Sequence, residues 1–261
     1  MSGIGALAHV LALGLAASAA IALLAWLASL KVRDVSMVDS VWSLMVVAPA
    51  LVAAAVMPES GPRAVMVLPL AALWALRLAG YITWRHWGHD EDRRYRDIRA
   101  RNEPHFQWKS AYLVFGLQAL LAWVVSLPLV AAVASPAPWG WLDSLGFGLA
   151  AVGVAIEVVA DHQLARFKAR PDHRSRVLAS GLWRYSRHPN YFGEFCVWWG
   201  FGLVALSAGT WWALASPLLM SVLLLRVSGV TLLEKDIGMR RPAYRLYVAR
   251  TNAFFPWKPR A

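Results

Sequence analysis

A charged side chain inside an apolar run needs a partner or water, because hydrocarbon solvates no charge. Arg77 stands in such a run, and Trp74, Arg77, Tyr81 and Trp84 recur at spacings of three and four, on one helical face. Asp39 opens another apolar run, with Trp42 one turn later. Glu157 and Asp161 are four apart near the end of a third, and Asn190 and Glu194 share that spacing at the start of a fourth. An arginine, carboxylates, an amide and a phenol gathered toward one side of a bilayer can line a polar pocket. They can equally pair with one another as packing glue. A pocket reached from the neighbouring loops would meet a high density of Arg, which binds phosphate through paired hydrogen bonds. A phosphate-rich cofactor suits that supply, and anionic lipid headgroups would use the same cations.

The elements that carry these residues are read from apolar length. Hydrophobic residues make up 59% of the 261 positions and only 16% are charged, where a soluble globular chain carries about 25%. Crossing roughly 30 Å of hydrocarbon takes about 20 apolar residues. Runs of that kind lie at Ile4–Leu30, Val38–Val56, Ala64–Trp84, Trp108–Ala134, Trp139–Ala160, Tyr191–Leu206 and Trp211–Val227. Pro58, Gly61 and Pro62 separate the second from the third, Pro136 and Pro138 the fourth from the fifth, and Ser207 to Thr210 makes the last turn. The first run has small residues at 17–20, as a signal peptide does. No basic residue precedes it, however, and it continues to Lys31 and Arg33, so it is read as a span.

The formal charge of +11 is distributed against nucleic-acid binding. Arg85, Arg93, Arg94, Arg96, Arg99, Arg101 and Lys109 follow the third run. A second basic set, from Arg166 through Arg174 to Arg187, follows the fifth, and a third, from Arg226 through Lys235, Arg240 and Arg241 to Arg260, follows the seventh. The alternate loops hold almost no cation but Arg63. The positive-inside pattern then gives an all-α integral membrane protein with about seven transmembrane helices, N-terminus outside and C-terminus cytoplasmic, as one membrane domain over residues 1–261.

Several chemistries find no support. The single cysteine, Cys196, permits neither a disulfide framework nor a cysteine-built metal site. The seven histidines lack paired ligand spacing, so no metal is expected; His188 alone has the chemistry of a base or ligand. No G-x-G-x-x-G or Walker loop is present. Most of the 15 tryptophans fit interfacial anchoring. No internal repeat marks a transporter.

The stretch Ser180-Gly-Leu-Trp-Arg-Tyr-Ser-Arg-His-Pro-Asn-Tyr-Phe-Gly-Glu194 resembles the C-terminal signature of the steroid 5-alpha-reductase-like membrane proteins, relatives of the sterol C14 reductases. Val38-Asp-Ser-Val-Trp42, Gly88-His-Asp-Glu-Asp-Arg-Arg-Tyr95 and the ending Tyr244 to Pro259 resemble a bacterial branch of that family. The Arg-His-Pro-Asn-Tyr core also resembles that of isoprenylcysteine carboxyl methyltransferases, which bind S-adenosylmethionine. The reductase resemblance implies NADPH in a cavity open to the cytoplasm, with 135–261 as the cofactor-binding half, and hydride transfer to the double bond of a lipophilic enone such as a 3-oxo-4-ene steroid. It assigns Asn190, Glu194, Asp161, Lys168, Arg176, Tyr185, His188, Arg226 and Arg77 to the cofactor, and leaves Asp39 and Tyr81 as catalytic candidates. Asp39, if held protonated in an apolar pocket, would donate a hydrogen bond to the substrate carbonyl; Tyr81 is the second candidate. Two departures bear on the substrate. Val38-Asp39 stands where the steroid enzymes have Gln-Glu, and Trp74 stands at their carbonyl-binding tyrosine, offering an N–H but no acidic O–H. The expected partners are a lipophilic molecule from the bilayer and membrane lipids, in a bacterial inner membrane. A lipid-directed methyltransferase and a non-enzymatic lipid-binding protein are the alternatives.

Overall fold

The computed structural model describes residues 3–57, 61–170, 172, 176–227, 229, 230, 234 and 243–260, and among these there is no strand. Pro58 and the loop cations Arg174, Lys235, Arg240 and Arg241 lie outside them. The helices are α1 (Gly3–Val32), α2 (Met37–Val56), α3 (Pro62–His86), α4 (Arg93–Asn102), α5 (Phe106–Ala134, with a π-helical stretch at Ala111–Gly116), α6 (Trp141–Lys168), α7 (Pro189–Ser207), α8 (Ala215–Val222) and α9 (Ala243–Arg250). Five of them, α1, α2, α3, α5 and α6, are long and apolar enough to cross a membrane.

The two remaining expected spans differ from the sequence reading. Tyr191–Leu206 becomes α7, which begins two residues earlier and takes Asn190 and Glu194 into its first turns, lowering its apolarity. Trp211–Val227 is subdivided into a 3-10 turn at Trp211–Leu214, α8 and a π turn at Leu223–Val227. The basic segment after α3, expected only as a loop, forms α4. Asp92 caps it, its carboxylate accepting from the Arg94 N–H at 2.9 Å.

The chain divides into two compact units, residues 1–139 with 208–213, and 140–207 with 214–261. In the first, α2 packs against α1, α3 and α5. With no hydrophobic drive between helices in lipid, close approach and polar ties hold such a bundle. A Cβ on Gly14 would lie 2.8 Å from the Pro49 side chain, so glycine is what lets α1 meet α2 there. Ser18 Oγ donates to Met45 O and Ser43 Oγ to Ala75 O, each at 2.8 Å, while Trp123 Nε1 donates to Leu11 O at 3.0 Å. Arg63, the cation that breaks the loop-charge pattern, is buried. Its guanidinium donates to Ser135 Oγ, Ala137 O and Pro138 O just beyond the end of α5, so it serves as a clamp on that loop.

In the second unit α6 and α7 cross through four glycines. A Cβ on Gly200 would be 2.5 Å from Gly146 O, and one on Gly153 2.6 Å from Gly193 O. Each helix repeats its glycine after seven residues, so one face stays bare over two turns and the backbones touch. Asp143 closes the far end of the pair, accepting from Gly140 N and Ser207 Oγ, both at 2.8 Å.

Candidate functional site

In the first unit the polar residues converge where α2 begins. Asp39 accepts from Arg94 Nη2 at 2.7 Å and from the Tyr95 hydroxyl at 2.6 Å. Both of its oxygens therefore act as acceptors, one of them in an ion pair. Asp39, expected to meet a substrate carbonyl, is here engaged by a guanidinium and a phenol and ties α4 to the start of α2. Burial together with the neighbouring Asp39 charge pushes the Tyr95 hydroxyl above its ordinary range. Burial pulls the Arg94 guanidinium down, but Asp39 and Asp92 outweigh it and hold its affinity for the proton above normal. Beside it, Glu91 accepts from Arg99 at 2.7 and 3.0 Å and from the Val35 N–H at 3.0 Å. Burial works to raise the Glu91 carboxyl, and these bonds bring it below its usual value.

Farther along, the fully buried Trp74 meets Trp42 edge-on at 6.4 Å. Trp42 Nε1 is buried with no hydrogen-bond partner among the described residues. Arg77 and Tyr81 are half-buried one and two turns past Trp74; Tyr81 lies 6.1 Å from the Trp84 ring, with the Arg85 guanidinium 5.8 Å above its own. On α2 and α3 an apolar groove of about 580 Å³ is lined by Ser40, Leu44, Leu76, Gly80, Thr83 and Trp84, among others.

In the second unit the signature is knitted to the chain's last residues. Gly181 has φ +61°, where a Cβ would strike the Gln163 amide at 2.5 Å; the bare backbone instead lets Leu182 N donate to Gln163 Oε1 at 3.0 Å. Trp183 Nε1 donates to Ala160 O at 3.1 Å. Arg187 grips Glu234 with two bonds of 2.7 Å, and donates also to Thr251 O at 2.6 Å and Val248 O at 3.2 Å. His188 Nε2 lies 2.9 Å from Glu234 Oε1, with its ring stacked on Tyr191. Burial works against the Glu234 charge, but His188 and Arg187 bring its pKa down to about 2. Tyr247 donates to Trp183 O, and Ser186 Oγ to Phe254 O at 2.7 Å.

Among the expected cofactor residues the structure brings Asp161 and Asn190 together, Nδ2 donating to Oδ1 at 3.2 Å. Glu194 is buried and accepts from Trp198 Nε1 at 2.8 Å. Lys168, Arg176, Tyr185 and Arg226 have exposed side chains. Arg77 and Tyr81 belong to the first unit and the others to the second. The buried Asp161, the half-buried Asn190 and exposed cations on the same unit are of the donor and acceptor types that a phosphate-bearing nucleotide requires. Among the described residues no group of three or more His, Cys, Asp and Glu side chains is placed to hold a metal. Arg94, Tyr95 and Glu91 stood in the sequence only within a basic set or a motif, with no site role, and Glu234 was not singled out. The helix-start signal at Asp92 pointed to the first two; nothing local marks Glu234, whose partners lie 46 and 47 residues away.

Comparison with known proteins gives a family described as "Protein of unknown function (DUF1295)", matching residues 25–251. Human 3-oxo-5-alpha-steroid 4-dehydrogenase 1 is 35% identical over 63 residues, 24% of this chain and 24% of that protein. The Macaca fascicularis protein of the same name matches equally, and the Mus musculus one is 36% identical over 62 residues, again 24% of each chain. The match thus spans about a quarter of the length of these curated relatives. No solved structure matches the chain.

Proposed function

Because the chain belongs to the DUF1295 family and is steroid 5-alpha-reductase-like, we propose that it is a membrane-embedded, NADPH-dependent reductase of a lipophilic enone such as a 3-oxo-4-ene steroid. The similarity to the 3-oxo-5-alpha-steroid 4-dehydrogenases carries this reading. In it the protein crosses the membrane seven times, with α7 and the Trp211–Val227 segment as the last two crossings. The C-terminus and the site face the cytoplasm of a bacterial inner membrane.

Asp161, Asn190, Glu194, Tyr185 and His188 would hold the nucleotide portion, and Lys168, Arg176 and Arg226 its phosphates. NADPH, when bound, supplies the hydride. The chain's task is then to polarise the carbonyl oxygen as enolate charge develops on it. With Asp39 committed to Arg94 and Tyr95, the Tyr81 hydroxyl becomes the first candidate donor, and the partnerless Trp42 N–H is a second. Asp39 acts by fixing α4 to the start of α2. The groove on α2 and α3 supports a lipophilic substrate, being apolar except for hydroxyls and indole N–H groups and exceeding the roughly 300 Å³ at which small-molecule pockets begin.

The test is thermal stability of detergent-purified protein with NADPH, NADH or S-adenosylmethionine, added singly at a hundredfold excess over the dissociation constant. Binding to the folded state alone adds about 2.7 kcal/mol under those conditions. A shift with NADPH alone, followed by enone turnover that Tyr81→Phe lowers at least tenfold without changing the NADPH shift, is the expected result. A shift with S-adenosylmethionine alone replaces the reductase with a methyltransferase, and no shift with any of the three leaves a non-enzymatic lipid-binding protein.

A further inference from the structure

The last residues of the chain carry a feature that the reductase reading does not use. Residues 243–260 contain Arg245, Arg250, Lys258 and Arg260 and no carboxylate. They also hold large apolar side chains in the open: Leu246 is 70% exposed, Phe255 58% and Trp257 72%. Backbone ties fix these positions. Trp257 N donates to Tyr185 O at 3.0 Å, Arg260 N to Arg250 O at 2.8 Å, and Arg187 N to Asn252 O at 2.9 Å. Phe254, the neighbour of Phe255, is buried against Phe192 and Phe195. The exposed aromatics are therefore presented by a secured segment.

Its depth follows from α6. Twenty residues from Trp141 to Ala160 rise roughly 30 Å, the thickness of the hydrocarbon layer. Trp183 is hydrogen-bonded to Ala160 O at that boundary, and Tyr185 to Arg187 tie the tail to the same level. Cations without acids, exposed aromatics, and a position at the edge of the hydrocarbon together match one kind of partner. We propose that residues 243–260 form a strap docked on an anionic phospholipid surface. Arg245, Arg250, Lys258 and Arg260 meet phosphates, while Leu246, Phe255 and Trp257 enter the headgroup region. Charge complementarity favours this occupant over a second copy of the chain, whose matching face would be equally cationic.

The experiment is amide hydrogen exchange of the full-length protein in nanodiscs of phosphatidylglycerol or of phosphatidylcholine. The readout is the peptide covering Thr251 to Arg260, and no nucleotide is present, so the outcome is independent of whether the reductase reading holds. Exchange is expected to be several-fold slower in phosphatidylglycerol, with the difference shrinking at high salt. Lys258→Gln, an exposed position that leaves the ties intact, should lose about fivefold of that protection. Equal exchange in the two lipids overturns the proposal. So does protection that grows with the number of protein copies per disc rather than with lipid charge.

Discussion

Two polar clusters join loops to helix ends in this protein, and they are built in opposite ways. At the start of α2 carboxylates are the hubs: Asp39 and Glu91 gather guanidiniums, a phenol and a backbone N–H, and the Arg94 side chain stays 38% exposed. In the signature segment a guanidinium is the hub. Arg187, with its side chain 9% exposed, spends its donors on Glu234 and on two carbonyls of the tail. A guanidinium as exposed as that of Arg94 can leave its carboxylate at modest cost, because water takes its place. A buried hub cannot, because each abandoned partner would be left desolvated. The cations of the first cluster are therefore its replaceable part, whereas the second cluster fixes the chain around Asn190. His188, expected among the cofactor ligands, is drawn into that second framework by Glu234.

The contrast breaks first at the helix pair carrying the second cluster. Gly200→Val puts a branched side chain where even a Cβ meets Gly146 O at 2.5 Å. It should destabilise the protein by about 3 kcal/mol or more, read as a lowered melting temperature or as loss of folded protein. Next comes the buried hub. Arg187→Met strands Glu234 and the tail carbonyls and should cost about 3–5 kcal/mol in the same melt. Its pH signature is specific. The Glu234 pKa is depressed from 4.5 to about 2, so its contribution is fully present above pH 4.5 and lost as the pH falls toward 2. Glu234→Gln should be less stable than wild type at neutral pH, and the gap should close across that window. A gap that does not change with pH would remove the ion pair from the account.

The smallest effects belong to the partners that Asp39 gathers. Tyr95→Phe removes one hydrogen bond and should cost about 1 kcal/mol. Arg94→Gln should cost at most about 1 kcal/mol, less at high salt. If either substitution proved as damaging as Arg187→Met, the two clusters would be equivalent and the division drawn between them would fail.

Apolar length made α1, α2, α3, α5 and α6 legible, since hydrocarbon admits few alternatives to a long apolar helix. Arg63 shows the limit of loop-charge counting: its cation is spent inside the fold on three oxygen acceptors. Asp39, Asp161, Asn190 and Glu194 stood out in the sequence because polar groups are rare in such runs, and Asp161 and Asn190 do meet. What each group bonds could not be read, because a partner is set by which helix faces cross. Spacing put Asn190, Glu194 and Trp198 on one face of α7, and Glu194 takes its bond from Trp198 one turn on, but only the packed structure gave Asn190 to Asp161. It likewise gave Asp39 its two partners by bringing Arg94 and Tyr95 back from 55 and 56 residues away. The sequence by itself determined the apolar surroundings this chain suits, the five helices long and apolar enough to cross a membrane and the family signature, because those follow from local composition and motif. Tertiary structure alone decided which carboxylate meets which cation, since contacts so distant along the chain are fixed by helix packing and leave no periodic mark in the sequence.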